Sequence, residues 1–535
     1  MKYKTALRSS AILLAIASLW GCGTVRPEPD FLRTAGIVTT RTGIDDVYDP
    51  AADALVQARV DELIQDGLTP DDAVRIAFLN NRAFQAQFYA IGASRADVVQ
   101  SGLLSNPTLS LSLRLPGGGG RSNIGLGLAQ EIVDLWQIPV RKKIASEQLE
   151  QVILGVVQSA IALKANVETQ CCELLALQES QAIAQENRTL AERSLSLAQG
   201  RFDAGESGLL DVNLARANLL DVQMSMVAIT RDVATTRSAL AHALGLAADG
   251  RDWSLTGTLP AMPLDIEEDS TLVLRAAEER LDVQIAASEL NAAKEEIQRQ
   301  HRSRVPSIVV GADGERTERR SPKSLMFNPV GSVPTSLASV PMDATQATDF
   351  VRDFLTDRME AKRNRDFEKA QNIDFLLGPT LQVTLPIWDQ NRAQIAKAQF
   401  NAQEKQKMCE ELLETVVMDV QQAAAMLRSA NELVRFFTED SLPLAQGNID
   451  TALRTYAAGE ETMLTVIEAQ KSLMQQRESY IGVLKDQAVA IVNLERVMGG
   501  RIAPLDEIQE QDEPPREAHG AGASSKTVSE NSHEQ

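Results

Sequence analysis

Thiols, imidazoles and carboxylates are the groups through which this chain could do chemistry, and few of them are spaced for it. Cys171 and Cys172 are adjacent, and Cys409 stands apart. Neighbouring residues of a helix point to different faces, so Cys171 and Cys172 cannot easily pair with each other. They offer soft-metal thiols on one reading and small buried apolar side chains on another. His242, His301, His519 and His533 are scattered without metal-ligand spacing. The glycine run 117–120 lacks the lysine of a phosphate-binding loop. No nucleophile and base stand in a pattern a hydrolase needs. The expectation is no catalytic residue, no cofactor and no metal site, hence a protein that is not an enzyme. The net charge of −20 on 535 residues further argues against nucleic acid as a partner, because phosphates would be repelled.

The fourth cysteine has a different setting. Lys2, Lys4 and Arg8 form a basic start, followed by an apolar run over 11–19. That run is shorter than the roughly 20 residues a spanning helix needs, and it reads as an export signal over 1–21. It ends in Leu19-Trp20-Gly21-Cys22, which resembles a bacterial lipobox with an unusually bulky Trp20. The resemblance implies cleavage before Cys22 and lipidation of its thiol and new amine. An ordinary signal peptide with an incidental cysteine is the plain alternative. By analogy, Gly23 after Cys22, in place of Asp, permits sorting to the outer membrane. No later segment is expected to be apolar enough for a transmembrane helix, so any crossing must be made by strands.

Hydrophobic residues make up 44% of the chain but aromatic ones only 4%, a mix suited to long helices packed side by side. The chain also repeats itself. Arg201-Phe202-Asp203-Ala204-Gly205-Glu206 returns as Thr455-Tyr456-Ala457-Ala458-Gly459-Glu460, an offset of 254, and Leu210-Asp211-Val212 returns as Leu464-Thr465-Val466. Ile132-Val133-Asp134 matches Ile387-Trp388-Asp389, and Asn106-Pro107 matches Val305-Pro306 at a shorter offset of 199. The change in offset implies an insertion in the second copy. The expected organisation is an anchor and linker over 22–68, a first repeat over 69–249 and a linker over 250–268. A second repeat covers 269–498 with an insertion at 315–375, and a disordered tail covers 499–535.

Each copy reads helix, strand, strand, long helix, turn, long helix. Leu109, Leu111, Leu113 and Leu115 alternate with Thr108, Ser110, Ser112 and Arg114, and Leu381, Val383 and Leu385 with Thr380, Gln382 and Thr384. Such alternation suits a membrane β-barrel as well as a half-buried soluble sheet. The third strand, 307–311, is less clear. Four strands cannot close a barrel, so the membrane reading requires several chains to pool theirs. Long helices are expected over 140–199, 208–246, 391–456 and 462–498, the third kinked or interrupted at Pro443.

The lipobox, the duplication, the paired strands, and the Phe-x-x-Gly and Tyr-x-x-Gly hairpins followed by Leu-x-Val resemble the TolC-like outer-membrane efflux proteins, its lipoprotein members in particular. The resemblance spans about 69–498. It implies a mainly α fold with membrane β-barrel strands, in a homotrimer whose twelve strands form a barrel continued by an α-helical periplasmic tunnel. Implied partners are outer-membrane lipid, a periplasmic adaptor (membrane fusion) protein and an inner-membrane pump. The implied function is a passive exit duct for small molecules or ions, lipid-anchored in the cell outer membrane. Carried over by position, Arg201, Gly205, Gly208, Leu209, Tyr456, Gly459 and Leu464 belong to adaptor-contacting tips. Asp211 and Glu468 are candidates for an acidic ring at the entrance. Asp211 is matched by Thr465 in the second copy, and Glu468 lies on the same helical face three residues on. A duct for type I polypeptide secretion and a non-conducting periplasmic coiled-coil scaffold are the alternatives. The insertion is expected to carry a helix over 347–370 with Phe350, Phe354 and Met359 on one side.

Overall fold

The computed structural model describes residues 24–65, 67–114, 123–247, 252–259, 266–318 and 373–501, with scattered residues between 348 and 363. Cys22, most of the expected insertion helix and the tail beyond 501 lie outside them. The chain opens with α1 (Glu28–Thr42), a 3-10 turn (Pro50–Leu55) and α2 (Val56–Ile64). The segment expected to be a linker is therefore largely helical, because Val38, Tyr48, Val56 and Val60 are buried. The first copy follows as α3 (Pro70–Asn80), α4 (Arg82–Ser101), β1 (Thr108–Arg114), β2 (Asn123–Glu131), α5 (Asp134–Asp203) and α6 (Leu209–Ala243). The second runs α7 (Asp269–Glu279), α8 (Leu281–Arg302), β3 (Ile308–Glu318), β4 (Ile373–Val383), α9 (Arg392–Phe436), α10 (Leu442–Ala457) and α11 (Met463–Met498).

The duplication reaches individual dihedral angles. Asn81 and Arg280, 199 positions apart, both leave the helix for extended backbone and split the leading helix of their copy. Four helix ends share one cap: Gly205, Gly245, Gly459 and Gly499 all have φ between 72° and 86°. One residue further on, the N–H groups of Glu206, Leu246, Glu460 and Gly500 reach back five residues, to carbonyls at 2.8–3.0 Å. This closure satisfies carbonyls that a helix end would otherwise leave open, and glycine adopts it without a Cβ penalty. Gly245 and Gly499 also pack against the helix breaks. A Cβ on Gly245 would lie 2.5 Å from the Asn80 carbonyl oxygen, and one on Gly499 3.1 Å from that of Glu279.

The chain divides into two compact units. One contains Tyr89–Leu154 and Gln284–Glu411, and with them an antiparallel sheet of order β1-β2-β3-β4. Register sorts its residues by face. Leu109, Leu111 and Leu113 pair with Leu128, Leu126 and Ile124, which in turn sit opposite Ala312, Gly314 and Arg316. Val310, Ala312 and Gly314 pair with Leu381, Pro379 and Leu377. One face is thus mostly apolar, interrupted at Gln130 and Arg316, and its large side chains are exposed. The other carries Thr108, Ser110, Ser112, Asp313, Glu315 and Thr380. Its glycines make room for these side chains: a Cβ on Gly127 would lie within 2.6 Å of both Asp313 Oδ1 and Ser110 Oγ. The third strand proves long, at 11 residues. Its glycines and charges hide the alternation that pairing with β4 reveals.

The other unit, Phe31–Phe88 with Gly155–Val283 and Leu412–Gln535, is mainly helical over its described residues. One core cluster joins Ala198, Val212, Ala215, Ile449, Tyr456 and Val466, drawing on α5, α6, α10 and α11. A second joins Leu272, Val416, Val420, Leu427, Leu494 and Val497 from α7, α9 and α11. Small alanines let the helices approach closely. At Pro443, as expected, the α-helix is interrupted. The five residues Phe437–Ser441 form a π turn, and Leu442 N–H bonds to Phe437 instead of four residues back. α5 starts before Pro139, earlier than expected. Asp134 holds its first turn by accepting from Ser105 N–H at 2.7 Å and pairing with Arg141 at 3.1 Å. An apolar window of α5 does reach a mean hydropathy of 1.2, contrary to expectation, but 44% of it is buried inside the chain, as in a packed core helix.

Inside this unit Lys164 bridges Glu168 (3.1 Å) and Glu495 (2.8 Å). Burial pushes the Glu168 carboxyl up to about 7; Glu495 and Asp71 act in the same direction and Lys164 opposes them. Unfolded, it titrates near 4.5. Between those values the folded protein holds a proton that the unfolded chain has released, so this group's contribution to stability falls as pH rises through that window. Thermal melts of Glu168→Gln should show the variant gaining on the parent between pH 5 and pH 8; parallel curves would contradict the burial effect. Gly205→Ala, with open space around it, should cost about 1 kcal/mol. Gly245→Ala should cost clearly more in the same unfolding assay, because a backbone carbonyl must move.

Candidate functional site

The two hairpins that join α5 to α6 and α10 to α11 lie in the helical unit and are held together by their own side chains. In the first, Gly205 turns the chain and Gly208 enters α6 in extended backbone (ψ 159°). In the second, Gly459 turns it and Thr462 enters α11 in the same way (ψ 158°). The local fold is one motif used twice, but the side chains have diverged. Arg201 stands where the second copy has Thr455, and Tyr456 where the first has Phe202.

That divergence produces a latch. The Arg201 guanidinium donates to the Tyr456 carbonyl and lies 4.6 Å above the centre of its ring. A charge-assisted hydrogen bond and a cation–π contact thus act on the same pair. Tyr456 is 1% exposed, while Phe202 is open to solvent. Burial raises the Tyr456 phenol pKa; Asp211 adds to the rise and Arg201 opposes it. The phenol oxygen has no hydrogen-bond partner among the described residues. Gly459 leaves space beside the guanidinium, since a Cβ there would lie 3.5 Å from Arg201 Nη2. Deeper in the bundle Asn218 donates to Gln470 at 3.2 Å, joining α6 and α11 through a buried polar pair.

The structure thus brings Arg201, Tyr456, Gly459 and Asp211 together. Leu209 and Leu464 are exposed at the starts of α6 and α11, where they offer apolar contact points. Glu468 is exposed on α11, and the Thr465 hydroxyl bonds to Glu461 at 3.0 Å. The Arg201–Tyr456 bond escaped sequence reasoning because the two residues are not repeat-equivalent. The mismatch of Arg201 with Thr455 within a largely matched motif was the available signal.

A second polar surface is the sheet face bearing Asp313 and Glu315, with Arg114 3.6 Å from Glu315. The thiols carry no such arrangement. Burial pushes Cys171 up to about 12 and Cys172 up to about 11, so both stay protonated. Among the described residues no group of three or more His, Cys, Asp or Glu is placed to hold a metal.

Comparison with known proteins identifies the family. The sequence model of the family described as outer membrane efflux protein matches residues 73–246 and 272–500, one segment in each copy. The cobalt-zinc-cadmium resistance protein CzcC of Cupriavidus metallidurans is 22% identical over 434 residues, 81% of this chain and 90% of its own. The pyoverdine export outer membrane protein OpmQ of Pseudomonas aeruginosa is 25% identical over 387 residues, 70% of this chain and 69% of its own. A crystal structure of CusC superposes with a TM-score of 0.61 at 17% identity, covering 81% of this chain and 92% of that one, and so shares the fold. With both copies matched across well over half of its length, this chain belongs to the outer membrane efflux protein family.

Proposed function

We propose that this protein is the outer-membrane exit duct of a tripartite efflux system, passing small molecules or ions delivered by an inner-membrane pump and a periplasmic adaptor. The observation that carries the reading is the sheet. One face is mostly apolar on all four strands, the other carries most of the polar side chains, and among the described residues β1 and β4 are paired on one side only. In lipid such edges must be satisfied by other strands. Three copies supply twelve, within the range of closed membrane barrels. The polar face then lines a water-filled lumen bearing Asp313 and Glu315. CzcC is named for resistance to cobalt, zinc and cadmium, and OpmQ for pyoverdine export. Ions and small chelators are therefore the substrate classes this reading favours. Cys22 is the proposed lipid anchor.

In this reading the hairpins are the periplasmic entrance and the adaptor's contact surface, with Leu209 and Leu464 as apolar contacts. The Arg201–Tyr456 latch holds the two hairpins of a protomer together, and the adaptor opens the entrance by separating them. Asp211 and Glu468, repeated around a three-fold axis, form an acidic ring that favours cations.

Conductance of the purified protein in planar bilayers tests the duct: large pores, closed most of the time, are expected, and an absence of pores would contradict it. Arg201→Ala removes a charge-assisted bond of about 1.5–3 kcal/mol, so open probability should rise by about tenfold or more. An unchanged open probability would remove the latch from gating. Glu468→Ala should lower the cation preference of the open pore; if ion selectivity stays as in the parent protein, Glu468 is no filter residue.

A further inference from the structure

Where the chain leaves β2 and β4 for α5 and α9, each copy places a tryptophan. Trp136 lies in the first turn of α5, and Trp388 lies between β4 and α9. Trp388 is 96% exposed, and Leu135, Leu385 and Ile387 are each more than half exposed. Leu385 continues the parity of Leu377, Leu381 and Val383. The patch is therefore continuous with the apolar face of the sheet, the face that meets lipid if the sheet spans the membrane.

Two arginines bond to the backbone that carries these tryptophans. The end of α8 sends Arg302 Nη1 to the Trp136 carbonyl at 2.9 Å, and Arg304 Nε reaches the Gln390 carbonyl at 3.4 Å. Asn391 Nδ2 donates to both Gln300 oxygens, at 2.7 and 2.9 Å, which ties the Trp388 segment to the same helix end. Arg302 and Arg304 are exposed, and neither meets a carboxylate among the described residues. Asp389, the acid in this loop, accepts the Asn391 N–H at 2.9 Å. Among the described residues two guanidinium groups thus remain without a counter-ion at the rim of an apolar surface. Tryptophan prefers the headgroup level of a bilayer, and cations there attract anionic lipid.

We propose that this rim is an interfacial girdle that binds anionic phospholipid, with Trp136, Trp388, Leu385 and Ile387 at the acyl boundary and Arg302 and Arg304 on the headgroup phosphate. The proposal rests on the membrane reading of the sheet. It adds a lipid class and the residues that select it. A soluble protein partner is disfavoured because the patch runs without a break into a face that has no other solvent to meet.

The test uses the full protein with Trp20, Trp136 and Trp253 replaced by phenylalanine, leaving Trp388 as reporter. It is reconstituted in vesicles containing brominated phosphatidylglycerol or brominated phosphatidylcholine. Brominated phosphatidylglycerol should quench Trp388 about thirtyfold more effectively per mole, the factor expected for two near-surface cations. In Arg302→Gln/Arg304→Gln the preference should vanish while quenching by phosphatidylcholine persists. No quenching by either lipid in vesicle-bound protein, or equal quenching by both in the parent protein, would overturn the girdle. So would loss of the preference on adding inorganic phosphate but not chloride of equal ionic strength, which would mark a site for free phosphate. Protein that fails to float with vesicles at all would sink the membrane reading, and the girdle with it.

Discussion

Backbone N–H and C=O groups tolerate no vacancy in hydrocarbon, and this constraint shapes the account of the sheet. A soluble four-stranded sheet can leave its outer strands to water. Here β1 presents Leu109, Leu111 and Leu113 to the outside, and β4 presents Leu377, Leu381 and Val383. Those side chains favour lipid, and lipid offers the strand edges nothing to bond to. A single chain cannot meet both demands. The closed assembly of several copies proposed above meets both.

The helical unit works under a different constraint. Duplicated sequence gives duplicated backbone: glycines at positions 254 apart turn the chain in the same left-handed conformation, and breaks 199 apart split the same helix. Function is free to diverge in the side chains laid on that frame. Arg201, where the second copy has Thr455, supplies a donor that the Tyr456 backbone carbonyl accepts, so two turns of the same backbone become donor and acceptor. A core of aliphatic side chains and alanines around Tyr456, with a buried Asn218–Gln470 pair, holds these helices close.

Much of this was legible in the sequence. Alternation over β1 and β4, the Phe-x-x-Gly and Tyr-x-x-Gly turns and the shift in offset disclosed the repeat and its insertion. What escaped had physical reasons. β3 looked weak because Gly311, Gly314, Asp313 and Glu315 break its pattern, and their role appears only when β2 and β4 lie on either side. α5 was expected to begin after Pro139, because the anchoring of Asp134 by Ser105 and Arg141 is a tertiary fact. The latch joins residues that repeat logic assigns to different positions, so no alignment of the copies could pair them. Helices α1 and α2 were missed because their burial depends on neighbours distant in sequence.

The most direct measurement asks whether edges β1 and β4 meet in different copies. In protein with Cys171, Cys172 and Cys409 replaced by alanine, single cysteines introduced along β1 would be combined with others along β4. Oxidation would be followed by determination of mass in detergent. The expected result is a ladder of dimer and trimer that ends at trimer, from pairs such as Ser110→Cys with Thr380→Cys or their neighbours in register. A monomer that forms no cross-link at any pair would contradict the shared barrel and leave the sheet as part of a soluble protein.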